Sequence, residues 1–307
     1  MTLSGRDTYR DELTKIAEYN DRVLCLEADL GGSNHKFETQ FSDRFFNMGI
    51  AEMTSIDMAA GLAEAGYIPF FSTFAPFASL RSAESIKLAM GYMEKNIKII
   101  APYGGVSGGW FGTTHHSLED IAVIRAFPNI KIACPYGEED TRRVIREAAA
   151  SPHPYYVRLS RNESFISLER SGEYAHTPLV NQKGDGKLCM VSVGEQGTEL
   201  CKNMQEIYPH LSHVHLCYVD QSSLRAAIDQ FKKLGETFLV VEEHRLAGGT
   251  ASLLSVLMPN KRVYSFDCGE EWPVYGGTHK ETLAYLKFDH ETLEKQIMDL
   301  LNEPIII

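Results

Sequence analysis

The chain has 307 residues, room for two domains of about 150 each, with 44% hydrophobic and 23% charged residues. Its formal charge of -11 argues against a nucleic-acid partner, which needs a basic face, and nothing in the composition signals disorder. No apolar run is long enough to span a bilayer and the polar start, Met1 to Arg10, has no signal-peptide pattern, so no membrane association is expected and a reducing cytoplasm is.

The chain begins directly with a helix pattern. Val23–Leu26 reads as a strand, and Glu52–Ala65 as a helix of small residues stopped by Gly66. Ile97–Ile100 and Ile130–Cys134 read as strands, the second closed by Pro135. Glu138–Ala150 reads as a helix with acidic residues in its first turn, and Tyr155–Leu159 as a strand. Residues 162 to 187 break the alternation with Gly172, Pro178, Gly184 and Gly186, and read as a linker. A second series follows: strand Leu188–Val193, helix to about Ile207, strand Val214–Val219, helix Leu224–Leu234, strand Phe238–Glu242 and a helix from Gly249 to Leu257. The expected fold class is α/β, two domains with mainly parallel sheets, spanning 1–170 and 186–307.

The six cysteines, Cys25, Cys134, Cys189, Cys201, Cys217 and Cys268, form no C-x-x-C pair and no zinc spacing. Buried reduced thiols are expected, and no metal ligand set is expected from this chain.

Three segments carry chemistry. The first is Asn47-Met48-Gly49-Ile50-Ala51-Glu52-Met53, followed by Ala59-Ala60-Gly61-Leu62-Ala63. By itself, Glu52 is a carboxylate opening a small, apolar helix, which the helix dipole favours. The second is Phe70-Phe71-Ser72-Thr73-Phe74-Ala75-Pro76-Phe77, which by itself reads as core aromatics. The third is the Gly-rich run from Gly104 to His116, ending Gly112-Thr113-Thr114-His115-His116. Glycines there let backbone approach a ligand, and histidine holds or moves protons near neutral pH.

Together these segments resemble the transketolase family, over nearly the whole chain and most strongly from Arg6 to Arg161. The resemblance implies a thiamine-diphosphate pyrimidine-binding fold followed by a transketolase C-terminal-like domain. It implies that Glu52 hydrogen-bonds the cofactor's pyrimidine from a dry site, favouring the tautomer that activates the thiazolium carbon. Ile50, Phe74 and Phe77 are expected against the same ring. His115 matches the family histidine near the reacting carbon; His116 stands where a Gln is usual. Arg6, Ser33 and Arg161 match a substrate-phosphate site, since arginine forks suit phosphate or sulfonate.

Two departures stand out. Phe111 replaces the family's hydroxyl-reading Asp, and Tyr103 replaces a phosphate-site His. A non-standard anionic ketose is therefore expected. Gly184-Asp185-Gly186 lacks the downstream Asn of the family's diphosphate motif and reads as a turn. The expected partner is an N-terminal, diphosphate-binding subunit that supplies most Mg²⁺ ligands, in a heterotetramer. The expected reaction is two-carbon ketol transfer from a ketose to an acceptor. Deoxyxylulose-phosphate synthesis, ketol transfer to a carrier protein, a 2-oxoacid dehydrogenase beta subunit and an inactive regulatory homologue stay open. No catalytic residue is expected from the second domain.

Overall fold

In the computed structural model, which describes residues 2–30, 35–162, 164–169, 177–274 and 276–302, helices and strands alternate as the apolar pattern requires. The first half contains α1 (Gly5–Ala17), β1 (Val23–Glu27), α2 (Lys36–Gln40), β2 (Phe45–Asn47), α3 (Glu52–Glu64), β3 (Ile68–Ser72), α4 (Ala83–Ile86), β4 (Lys98–Ala101), α5 (Asp120–Arg125), β5 (Lys131–Ala133), α6 (Gly137–Ala150) and β6 (Tyr155–Arg158). Its six strands form an all-parallel sheet in the order β2-β1-β3-β4-β6-β5.

A parallel sheet must be covered on both faces. Alternation along β1 divides its side chains accordingly. Leu24 and Leu26 pack with Ile56 and Ala59 of α3, whereas Val23 and Cys25 pack with Tyr9 and Leu13 of α1 and Val144 of α6. α1 is started by Ser4, whose hydroxyl accepts the Asp7 N–H at 3.1 Å. α1 is then bolted to β1 by a buried pair, Arg10 donating to both Glu27 oxygens at 3.0 and 2.6 Å.

The second half contains β7 (Leu179–Gln182), β8 (Leu188–Val193), α7 (Gly194–Ile207), β9 (Ser212–His215), α8 (Gln221–Phe231), β10 (Thr237–Glu242), α9 (Thr250–Leu257), β11 (Arg262–Phe266), α10 (His279–Tyr285) and α11 (His290–Asn302). Its sheet order is β11-β10-β8-β9-β7, parallel except for β7. The mixed α/β, mainly parallel architecture agrees with the sequence expectation.

Two details differ. Residues 162 to 187 are not strandless, because β7 lies within them as an antiparallel edge on β9. An edge strand that is only half-buried and includes Asn181 and Gln182 carries almost no apolar signal. The strand expected over Val214–Val219 lies instead at Ser212–His215. Beyond it the backbone turns to the first sheet: Cys134 N–H donates to Cys217 O at 2.6 Å and Val219 N–H to Ile132 O at 2.9 Å. An antiparallel bridge pairs Ala133 with Tyr218, so this apolar stretch is buried by the neighbouring sheet rather than its own. Gly184-Asp185-Gly186 forms a bend, with Asp185 N–H donating to His210 O at 2.8 Å. All six cysteines are buried and free.

Candidate functional site at the carboxyl ends of the first sheet

Because every strand of the first sheet is parallel, all its βα connections emerge at one edge, the usual ligand edge of an open α/β sheet. Leu30 follows β1, Glu52 follows β2, Phe74 and Phe77 follow β3, Tyr103 follows β4, and Arg161 follows β6. Residues far apart in the sequence are gathered there by topology alone.

Glu52 opens α3 after a turn in which Gly49 adopts φ +61 and donates to Asn47 Oδ1 at 3.1 Å. Its side chain is directed inward, leaving the residue 3% exposed. Oε1 accepts from Arg81 Nη1 at 2.8 Å, while Oε2 makes no hydrogen bond among the described residues. Arg81 lies over the Phe77 ring, 4.3 Å from its centroid, on a π-helical turn spanning Phe77–Arg81. Such turns are rare and cluster at functional sites. Arg81 was not singled out from the sequence; its place after Phe77 in an aromatic segment was the available signal.

An aromatic wall continues from there. Phe74 meets Tyr103 edge-on at 4.6 Å and Phe77 at 5.9 Å. His115 packs on Phe77 at 5.1 Å and stacks on Phe111 at 4.7 Å. Each such pair adds roughly 0.5–1.5 kcal/mol beyond its burial. Burial first, and then the Arg81 charge, pushes the His115 ring below its ordinary pKa, so it is neutral at pH 7. His115 Nδ1 lies 3.0 Å from Thr114 Oγ1. His116 is buried behind it and lowered likewise by burial, partly offset by the Gly109 backbone.

Tyr103 Oη accepts from Arg161 Nε at 2.9 Å. Arg6 reaches Leu30 O through Nη1 at 3.4 Å. The α1 start and the β6 end touch, since a Cβ on Gly5 would stand 3.1 Å from Leu159 Cβ. Arg6 and Arg161 thus belong to adjoining segments. Ser33 lies outside the described residues. Phe111 is 53% exposed and Ile50 73% exposed; neither is sequestered within this chain.

Residues 1–165 match the family described as "Transketolase, pyrimidine binding domain". The chain belongs to the transketolase family. It is 31% identical over 310 residues to a "Putative transketolase C-terminal section" of Methanocaldococcus jannaschii, covering 96% of this chain and 95% of that protein. It is 28% identical over 310 residues to an apulose-4-phosphate transketolase subunit of Phocaeicola vulgatus, covering 98% of each. Among solved structures it superposes on a "Split gene transketolase, inactive beta4 tetramer" with a TM-score of 0.83 at 25% identity, over 98% of this chain and 99% of that one. It is similar throughout to C-terminal, split-gene transketolase subunits.

The transketolase-type site fits one end of thiamine diphosphate on its own chemistry. A buried carboxyl group with one oxygen unengaged, next to aromatic faces, suits a heteroaromatic ring with a hydrogen-bonding edge. Two buried clusters elsewhere, Cys25–Glu27–His35 and Asp140–His215–Cys217, have a metal-like arrangement. Protein cations already face both: Arg10 on Glu27 at 2.6 Å, and Arg143 on Asp140 at 3.5 Å.

Proposed function

We propose that this chain is the pyrimidine-side subunit of a two-chain thiamine-diphosphate enzyme that transfers a two-carbon ketol unit from an anionic ketose to an acceptor. The observation that carries the reading is the buried Glu52 carboxylate, one oxygen held by Arg81 and the other unengaged among the described residues. Thiamine diphosphate, when bound, supplies the carbanion and the electron sink for carbon–carbon cleavage.

The chain's own residues do the rest. Glu52 holds the pyrimidine ring nitrogen and keeps the proton there. Phe74 and Phe77 cover the ring and exclude water, with Ile50 at the open rim. His115, neutral and tied at Nδ1, presents Nε2 to substrate oxygens. Arg6, Arg161 and Ser33 hold the anionic tail, and the likeness to an apulose-4-phosphate transketolase supports a phosphorylated substrate. Phe111 and Tyr103 form the apolar side of the acceptor end, which favours a ketose other than the usual pentose phosphates.

The partner is the N-terminal, diphosphate-binding subunit. It carries most Mg²⁺ ligands and meets this chain over α3 and the following π-helical turns, in a cytoplasmic heterotetramer. Met53, Leu80, Leu88, Tyr92 and Met93 are large, apolar and exposed on those segments, a composition that suits a buried interface. The two domains are taken as 1–170 and 186–307.

The test is reconstitution with a diphosphate-binding partner chain and mass spectrometry of the products from a ketose panel. Ketol transfer is expected, and E52Q is expected to lower turnover by about 10²–10⁴-fold with an unchanged circular dichroism spectrum. Wild-type turnover by E52Q would remove the basis of the reading. Efficient use of xylulose 5-phosphate with ribose 5-phosphate would overturn the non-standard substrate alone.

A further inference from the structure

The loop that carries His115 and Phe111 has little structure of its own beyond two 3₁₀ turns, Gly109–Phe111 and Thr113–His115. Much of its support comes from the second half of the chain. Gly105 adopts φ +67, and a Cβ there would stand 2.2 Å from the Glu243 carboxyl. The next amide, Val106 N–H, donates to Glu243 Oε1 at 2.7 Å. His279 Nε2 lies 2.8 Å from the same oxygen, and its Nδ1 lies 2.7 Å from Asn162 Nδ2. A carboxylate only accepts and an amide nitrogen only donates, so these partners assign the tautomer: Nε2 donates and Nδ1 accepts.

The same segment closes over the loop twice more. A Cβ on Gly109 would stand 2.3 Å from Gly277 O, and Thr113 Oγ1 donates to Pro273 O at 2.8 Å. Asn162 directly follows Arg161, so His279 is tied to the loop of His115 through Glu243 and to the segment of Arg161 through Asn162. Glu243 is buried and held below the usual carboxylate range. Burial opposes its ionisation, but the hydrogen bond from His279, the Arg158 charge and the Val106 N–H outweigh it. Among the described residues, nothing in this grip touches Glu52 or Arg81.

We propose that Glu243 and His279, both from the second half, are positioning residues for the substrate end of the site, setting where His115 and Arg161 stand. This rests on the ketol-transfer reading above. It makes the second half a participant in substrate recognition through the first half's loop.

In the reconstituted two-chain enzyme, H279A is expected to raise KM for the anionic ketose by about five- to ten-fold, the worth of one or two hydrogen bonds, with the Kd of thiamine diphosphate changed by less than about two-fold. H279Q, whose amide offers a donor and an acceptor to the same partners, is expected to restore KM. Amide hydrogen exchange across residues 105 to 116 is expected to quicken in H279A and not in H279Q. Unchanged KM in H279A, failure of H279Q to rescue, or cofactor affinity falling in step with KM each overturns the proposal. If the wild-type complex transfers no ketol unit, the functional reading fails by itself. The exchange comparison then decides the brace: faster exchange rescued by H279Q sustains it, and unchanged exchange in H279A ends it.

Discussion

In the proposed function, Arg161 links the fold to substrate choice. Its backbone N–H donates to Ser107 Oγ at 3.3 Å and its Nε to Tyr103 Oη at 2.9 Å, so two anchors aim the guanidinium, whose outer nitrogens make no hydrogen bond among the described residues. A family phosphate-site His would share the anion's charge; Tyr103 only orients the arginine. On the proposed reading, the anionic tail therefore depends more heavily on Arg161 and Arg6. R161A is expected to raise KM for an anionic ketose roughly ten- to a hundred-fold, the worth of hydrogen bonds to a charged group, and to leave a neutral ketose analogue almost unaffected. Steady-state kinetics with the matched pair checks this. Equal losses on both substrates would place Arg161 outside tail recognition.

At the scale of elements, α3 and the π-helical turns behind it present opposite faces to different tasks. Ile56 and Ala59 are fully buried against the first sheet, whereas Met53 and Leu88 face outward. Leu88 lies on the π-helical turn Lys87–Tyr92, and Tyr92 is 83% exposed. A change on the outward face should cost the isolated chain almost nothing, because surface substitutions rarely exceed about 0.5 kcal/mol. L88E is therefore expected to leave the melting temperature of the isolated chain unchanged. It should weaken copurification with the diphosphate-binding subunit by roughly ten-fold or more, as loss of a central interface anchor does. Undiminished association, measured by light scattering or pull-down, would move the interface off this face.

For the whole molecule, the joint between the two halves contains a titrating clasp. Glu195 opens α7, and its Oε1 accepts Gly137 N–H at 3.0 Å, while Oε2 accepts Phe165 N–H at 3.5 Å. Burial pushes its carboxyl up to about 7, against the pull of those hydrogen bonds. A carboxyl raised above its unfolded value binds a proton in the folded state that the unfolded state has already lost. Its contribution to stability is thus full below the unfolded pKa, roughly 4.3, and is lost as pH rises through 7. E195Q cannot ionise, so its melting temperature relative to the natural protein is expected to climb between pH 5 and pH 8. Thermal melts across that range test the clasp, and a flat difference would show that Glu195 stays ionised throughout.

How much of this was legible beforehand depends on the range of the interaction involved. α3 could be read from the sequence because its burial recurs at helical spacing, and β1, β8 and β10 because they are short apolar runs buried along their whole length. Glu52, Phe74, Phe77 and His115 stood in dense local motifs, and the fold brings them to one wall. β7 could not be read, because an edge strand with one partner and an open face has no such spacing. The stretch after β9 misled, since its apolar residues are buried by a sheet that lies far earlier in the chain. Arg81 on Glu52, His279 on Asn162 and Glu243 on Val106 lie 29, 117 and 137 positions apart, where no spacing rule operates. Composition and local pattern determined the fold class, the strand and helix faces, and the chemistry available. Only tertiary structure decided which carboxylate is paired, which loop is braced and from where, because parallel strands bring their ends together irrespective of distance along the chain.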